Sequence, residues 1–411
     1  MNILKIILKF TDKIFAQIAI ILIKIYQYTL SPDKWLPSLR LKWKICAHEP
    51  HCSKYSILSF KRYWFFSWFP KVIDRVFSCV WSKQKIYDTH KYNVIFFSSA
   101  PIGIPFLQKL NSSRRFDIKG IVTMPDKPSD RWMKVKPNII KTEWEKIAPL
   151  IKGGRGDLKN NFIQTPNSLR LDSKKYAEEA HNFKLRLESK KPDYLVVIAY
   201  GKIIPQYILD IPKIAPINVH GSLLPKYRGA SPLQSIFLNQ DETTGITIMK
   251  MDAWMDTGDM IDKLKFKIDF HRTVKDLIDE LMKRWPKFLN KTLINYWKKL
   301  LGEIKQNEKQ ATYCQKIEKE DWEINPNKDS LEDVYKKYRA YALRPKIYFF
   351  LDNKKRVVIE NLILDEKLFE DNKTKSLFEG KNLNKAIKEI SVKPEWKKTM
   401  SRDAFKTWYL K

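Results

Sequence analysis

At 411 residues the chain has room for two to four domains of about 150 residues each. Its 77 lysines and arginines against 46 acids give a net charge of +31, which points to a polyanionic partner, nucleic acid or an anionic membrane surface, although a lysine-rich proteome accounts for part of the excess. Four cysteines, at positions 46, 52, 79 and 314, are too few and too scattered for a disulfide scaffold in so long a chain.

Residues 3–28 carry a helical pattern in which Lys5, Lys9, Asp12, Lys13, Gln17 and Lys24 form a narrow polar stripe. The longest uncharged run, Ile14 to Ile23, is too short to span a bilayer. An amphipathic helix lying in the membrane interface is the expectation. A signal peptide would be followed by a small-residue cleavage site, and none follows. Residues 1–90 hold 15 basic against 5 acidic side chains, a net of +10. Cys46, His48, His51, Cys52 and Cys79 lack the paired CxxC spacing of a zinc site, and no metal is expected. Residues 82–92 read as a polar linker.

Asn93–Phe97 is an apolar run of strand length, and Gly103–Leu110 opens a helix. Together they make the first βα unit of a doubly wound, mostly parallel sheet of Rossmann-like type. No GxGxxG is present, so no dinucleotide is inferred. Residues 116–123 read as the next strand and lead into a basic loop with Arg131, Lys134 and Lys136. Residues 141–161, rich in lysine and glycine, suggest no role. A further strand, Tyr194–Ile198, delivers the loop Tyr200-Gly201-Lys202-Ile203-Ile204.

Asn218-Val219-His220 alternates at the end of an apolar run, as a strand does, so Asn218 and His220 share a face. A second strand-like run, Ile246–Met251, precedes Asp256 and the turn residues Thr257-Gly258-Asp259. An amide, an imidazole and a carboxylate converging at strand ends suit acyl transfer. The amide and a protonated imidazole could donate to a developing oxyanion. The carboxylate would favour the charged imidazole, and could take a proton from an attacking amine, through water if need be. Taken singly, each residue also suits a structural role as a core histidine or a turn cap.

Residues 274–302 are helix-rich and interrupted by Pro286, and strands are expected near 347–351 and 357–364.

The run Asn218-Val219-His220-Gly221-Ser222-Leu223-Leu224-Pro225 with Arg228-Gly229-Ala230-Ser231-Pro232 resembles the signature of folate-dependent formyltransferases, and within them the methionyl-tRNA formyltransferase family. Lys191-Pro192-Asp193, Ala199 to Pro205, and Met255-Asp256-Thr257-Gly258-Asp259 fall at that family's spacing, and the resemblance extends over about residues 92–411. It implies Asn218, His220 and Asp256 as catalytic residues. Lys202, Ile203, Ile204, Ser222, Leu223, Leu224 and Pro225 would contact 10-formyltetrahydrofolate. Arg131, Lys134 and Lys136 would lie against the acceptor stem of initiator methionyl-tRNA. The family has glycine where Ser99 stands. Arg339-Ala340-Tyr341 and Leu343-Arg344-Pro345 resemble its C-terminal open, OB-like β-barrel, a basic platform for tRNA.

Residues 1–85 resemble the YidD family of membrane-protein insertion factors, with Cys46, Cys52 and Cys79 at its cysteine positions. The implied organisation is a membrane-associated helical module over 1–88, a formyltransferase domain over 92–300 and a tRNA-binding domain over 308–411. The chain is expected to be a monomer without DNA or metal, peripheral on the cytoplasmic face of the membrane. Two alternatives stand: a formyltransferase of sugar amines or other small amines, and an insertion factor carrying a decayed transferase domain.

Twelve glycines accompany 13 tryptophans, where average composition gives about 29 glycines. Trp43, Trp64, Trp68, Trp132, Trp254, Trp322 and Trp396 stand where the resembling families have glycine. The reading is that the source organism decodes UGA as glycine and that these codons are written here as tryptophan.

Overall fold

The computed structural model describes residues 2–29, 91–128, 135–147, 162–172, 175–343, 346–351, 354–379 and 382–409, with positions 56, 57, 69, 70 and 73. The chain divides into two compact units, Met1–Lys91 with Ile294–Gly302, and Tyr92–Leu293 with Glu303–Lys411.

In the first unit α1 runs over Asn2–Thr29, within a residue of the stretch that the polar stripe marks out. Ala16 and Ile20 are buried against Leu300, with Ala19, Ile23 and Ile57 beside them. Ile14, Phe15, Ile18, Ile21, Leu22 and Ile25 are exposed. At 100° per residue these six cover about a third of the helix circumference. The helix therefore buries one apolar face within its own unit and keeps the side chains of a second one exposed. Among the described residues no helix is long and apolar enough to cross a membrane. Cys46, His48, His51, Cys52 and Cys79 lie outside the described residues.

The second unit is built on a seven-stranded sheet of β1 (Tyr92–Phe97), β2 (Phe116–Thr123), β3 (Phe162–Gln164), β4 (Tyr194–Val197), β5 (Ala215–His220), β6 (Thr243–Lys250) and β7 (Met260–Lys267). Its order is β7-β6-β5-β4-β1-β2-β3. The pairs joining β1 to β5 are parallel, as is β2 with β3, while β6 and β7 pair antiparallel. Strands covered on both faces read as continuous apolar runs, and all four residues of β4 are buried.

Helices α2 (Ile104–Asn111) and α3 (Ile139–Ile147) follow β1 and β2, and α4 (Ala177–Glu188) precedes β4. In α4, Ala180, Phe183 and Leu187 make the buried stripe, at helical spacing. Each large apolar side chain so buried contributes about 1.5–3 kcal/mol. The turn after β1 departs from the expected glycine without loss of order, because the Ser99 hydroxyl accepts a bond from the Met124 amide at 3.0 Å.

After α5 (Pro232–Leu238), the helix α6 spans Val274–Trp297 without a break at Pro286. The sequence reading expected an interruption there. Leu281, Trp285 and Leu289 are all buried, and this anchored face outweighs the local cost of proline.

Towards the C-terminus, where an open OB-like barrel was expected, the structure has a separate four-stranded antiparallel sheet of β8 (Tyr348–Phe350), β9 (Arg356–Leu364), β10 (Ile387–Pro394) and β11 (Met400–Ser401). The rings of Phe349, Phe378 and Phe405 pack together beneath it. Helix α7 (Leu331–Ala340) packs on α5. There the buried Arg339 donates to the carbonyls of Arg272 and Asp269 at 2.8 and 3.0 Å, and its guanidinium lies over Phe237. Burial lowers its pKa, and the two carbonyls compensate in part for lost hydration.

Candidate active site

The carboxyl ends of β1, β4 and β5 share one edge of the sheet, where ligands of doubly wound folds bind. Val197 pairs with Asn218, and His220 pairs with Thr247 of β6. Asn218 and His220 thus sit two residues apart at the end of β5. The turn beyond is tied down by side chains. The Thr247 hydroxyl donates to the Ser222 carbonyl at 2.8 Å and accepts from the Leu224 amide at 3.0 Å. Ser222 Oγ donates to the Lys226 carbonyl and Lys263 Nζ to the Leu224 carbonyl, each at 2.5 Å. Burial lowers the Lys263 pKa, with the neighbouring Lys265 adding to the effect.

Asp256 reaches the same point from the loop after β6. Its Oδ2 lies 3.5 Å from His220 Nδ1 and accepts the Gly229 amide at 2.9 Å. Oδ1 accepts from Asn218 Nδ2 at 3.3 Å. The three residues expected to work together are therefore brought together. His220 is buried, and its Nε2 lies 2.8 Å from the Tyr227 carbonyl. A carbonyl can only accept, so this nitrogen is the donor, and Nδ1 faces the carboxylate.

The loop carrying Asp256 is tightly made. Asp256 itself has φ +57, a left-handed conformation that costs a non-glycine residue about 1–2 kcal/mol. At Gly258 a Cβ would come within 1.9 Å of the Lys250 carbonyl. The Asp252 carboxylate accepts the Thr257 hydroxyl at 2.7 and 2.8 Å and the Trp254 amide at 3.2 Å. Gly229, at φ +120, leaves no room for a side chain against Cys314.

A third segment completes the site. Residues Tyr313–Cys314 pair in parallel with Arg228–Gly229, which brings the preceding linker across the site. Gln306 Nε2 donates to the carbonyls of Asp256 and Gly258 at 2.7 and 2.8 Å. Its Oε1 accepts from Nε and Nη2 of the buried Arg228 at 3.1 and 2.9 Å. Arg228 forms a two-pronged pair with Glu308 at 2.8 and 2.7 Å, and the bond to Glu308 raises the arginine pKa and lowers that of the carboxylate. The sequence reading assigned no role to Gln306 or Glu308, which stand about fifty residues beyond Asp256 in a stretch without a motif. The one signal was Arg228 within the signature, whose burial requires acceptors.

The residues expected to hold a folate divide into two groups. Ser222, Leu224 and Pro225 are buried and Leu223 half-buried in the turn after β5. In the loop after β4, Ile203 is 74% exposed and Ile204 buried. Gly201, at φ +84, faces open space. Lys202 Nζ donates to the carbonyls of Pro166 and Asn167 at 2.8 and 3.1 Å. Tyr200 and Thr165 hydroxyls lie 2.5 Å apart, and burial pushes the tyrosine pKa up to about 12. Of the three residues expected to meet tRNA, Arg131 and Lys134 lie outside the described residues. The backbone of Lys136 pairs with Lys127 in a short antiparallel ladder.

Residues 92–293 match the formyl transferase family, and residues 15–91 match the YidD family of membrane protein insertion efficiency factors. The methionyl-tRNA formyltransferase of Acetivibrio thermocellus is 34% identical over 67% of this chain and 81% of its own length. That of Thermotoga maritima is 38% identical over 58% of this chain and 69% of its own. A solved methionyl-tRNA formyltransferase from Clostridium thermocellum superposes with a TM-score of 0.42 at 18% identity, covering 67% of this chain and 94% of that one. The chain belongs to the methionyl-tRNA formyltransferase family and carries a YidD-family domain ahead of it.

Proposed function

We propose that this chain transfers the formyl group of 10-formyltetrahydrofolate to the α-amine of initiator methionyl-tRNA, making N-formylmethionyl-tRNA for translation initiation. The observation that carries this reading is the meeting of Asn218 and His220 on the Asp256 carboxylate, at 3.3 and 3.5 Å, at the carboxyl end of β5. In this reading the amine nitrogen attacks the formyl carbon, and negative charge collects on the formyl oxygen. Asn218 Nδ2, which keeps a second N–H beyond the one given to Asp256, donates to that oxygen, and His220, held between the Tyr227 carbonyl and Asp256, acts on the charge through space. The Asp256 carboxylate receives the proton of the attacking amine, directly or through water. The tetrahedral intermediate then expels the N10 nitrogen of tetrahydrofolate, which takes up the proton that Asp256 accepted, directly or through the same water, and the carboxylate is restored.

The loops around Lys202, Ile203 and Ile204 and around Ser222, Leu223, Leu224 and Pro225 hold the folate. The open backbone at Gly201 and the exposed Ile203 favour that assignment. Arg131, Lys134 and Lys136 meet the tRNA backbone, together with the domain over 308–411. The module over 1–88 assists membrane-protein insertion and rests on the cytoplasmic membrane face through the exposed side chains of α1. The chain acts as a monomer and uses no metal. Incubating the protein with 10-formyltetrahydrofolate and charged initiator tRNA tests the reaction. N-formylmethionyl-tRNA is the expected product, read as formyl-methionine after the tRNA is deacylated, and its absence with fully active substrates overturns the reading.

A further inference from the structure

We infer that Gln306 is a positioning residue, which fixes the backbone of Asp256 and thereby aims its carboxylate at Asn218 and His220. The inference rests on the catalytic reading of those three residues. Gln306 bonds the main chain of the loop and not the Asp256 carboxylate. Arg228 offers only donors and backbone carbonyls only accept, so the orientation of the Gln306 amide is dictated. Its oxygen must face the guanidinium, at 3.1 and 2.9 Å, and its nitrogen must face Asp256 O and Gly258 O, at 2.7 and 2.8 Å.

The amide is thus a two-sided adapter. On one side stands a cation clamped by Glu308 through two bonds and touched by the Tyr313 hydroxyl at 3.2 Å. On the other stand the two carbonyls that bracket Thr257 in the tightest part of the loop. Asp256 occupies a left-handed conformation, so its backbone will relax unless neighbours hold it. The Asp252–Thr257 bonds hold the loop from within, whereas Gln306 ties it to an immobilised charge outside it. A carboxylate displaced by even an ångström would lose the relation to His220, now at 3.5 Å. Such an error in placement costs about a hundredfold in rate.

The test uses the full-length protein with charged initiator tRNA and 10-formyltetrahydrofolate. Gln306→Glu keeps the shape and an acceptor for Arg228 but removes both donors to the loop; Gln306→Ala removes the adapter. Melting curves identify folded variants, and if the alanine variant melts early, the glutamate variant decides. For Gln306→Glu, kcat should fall by about tenfold to a hundredfold with both KM values nearly unchanged. Its pH–rate profile should change in the same sense as that of Asp256→Asn. The double variant with Asp256→Asn should be no slower than Asp256→Asn alone, because the two losses pass through one carboxylate. Normal kcat in folded Gln306→Glu, or losses that multiply in the double variant, would overturn the inference. If Asp256→Asn itself keeps normal kcat, the catalytic reading fails, whatever Gln306 does.

Discussion

Asn218 and His220 spend their polar atoms on Asp256 and on the Tyr227 carbonyl, so each is already oriented before substrate arrives. Preorganised polar groups of this kind, the second Asn218 N–H as a donor and His220 as the group that orients Asp256, are typically worth about a hundred- to a thousandfold in kcat. Asn218→Ala and His220→Ala should each show a loss of that order in steady-state formyl transfer, with folate affinity by equilibrium titration nearly unchanged. Asp256→Asn keeps the shape and removes the charge facing the imidazole, so its pH–rate profile should change form. The resemblance to the formyltransferase signature singled out this trio; the residues alone offered only a two-residue alternation that puts Asn218 and His220 on one strand face and an acid before Thr-Gly. Gln306 was not legible, because it acts through backbone carbonyls that have no letter in the sequence. The tryptophans belong to the same scale. Trp396 is 90% exposed with φ +61, and Trp254 is 78% exposed. A left-handed, solvent-facing position is natural for glycine and strained for a bulky ring. Intact-mass spectrometry of the protein from its source organism should therefore give less than the mass of this sequence, by the tryptophan–glycine difference at each UGA-encoded position. A mass matching the sequence as written ends that reading.

Among the elements, α1 has an unusual division of labour. Ala16 and Ile20 face inward, whereas Ile14, Ile18, Leu22 and Ile25 face out. An apolar face of this width gains little in water and much at a lipid interface, where anionic headgroups add attraction for nearby lysines. Replacing Ile18 and Leu22 with lysine keeps the helix and puts charge into that face. Burial of each such side chain is worth about 1.5–3 kcal/mol, so co-sedimentation with vesicles containing anionic lipid should weaken by at least about tenfold. Formyl transfer in solution should be unchanged. Equal sedimentation of the variant would show that the face serves something other than lipid. Element boundaries were most legible where burial is two-sided: residues 194–197 are an unbroken, fully buried apolar run, and β1 is apolar and buried from Val94 to Phe97, whereas β2 carries Asp117 and Lys119 between buried neighbours. They were least legible where tertiary packing overrides local preference, as when Pro286 sits inside α6 between Trp285 and Leu289.

For the whole molecule the governing quantity is the net charge of +31. Composition alone does not say where a polyanion sits, and two basic regions compete for it in the sequence, the N-terminal module and the loop with Arg131. Within the second unit, Arg339 of α7 bonds backbone carbonyls of the segment between β7 and α6. The two basic regions lie apart in sequence, so tRNA binding and membrane binding should separate in experiment. Arg131→Ala should raise the KM for charged initiator tRNA and leave the KM for 10-formyltetrahydrofolate alone, since a phosphate contact carries no folate chemistry. The dependence of tRNA affinity on salt sharpens the test. Each phosphate contact releases condensed counterions, so losing one should reduce the slope of log affinity against log salt by about one. Vesicle binding by the same variant should be unaltered. A tRNA KM and salt slope indistinguishable from those of the parent protein would make Arg131 a solvated bystander, and would move the tRNA contacts to the domain over 308–411.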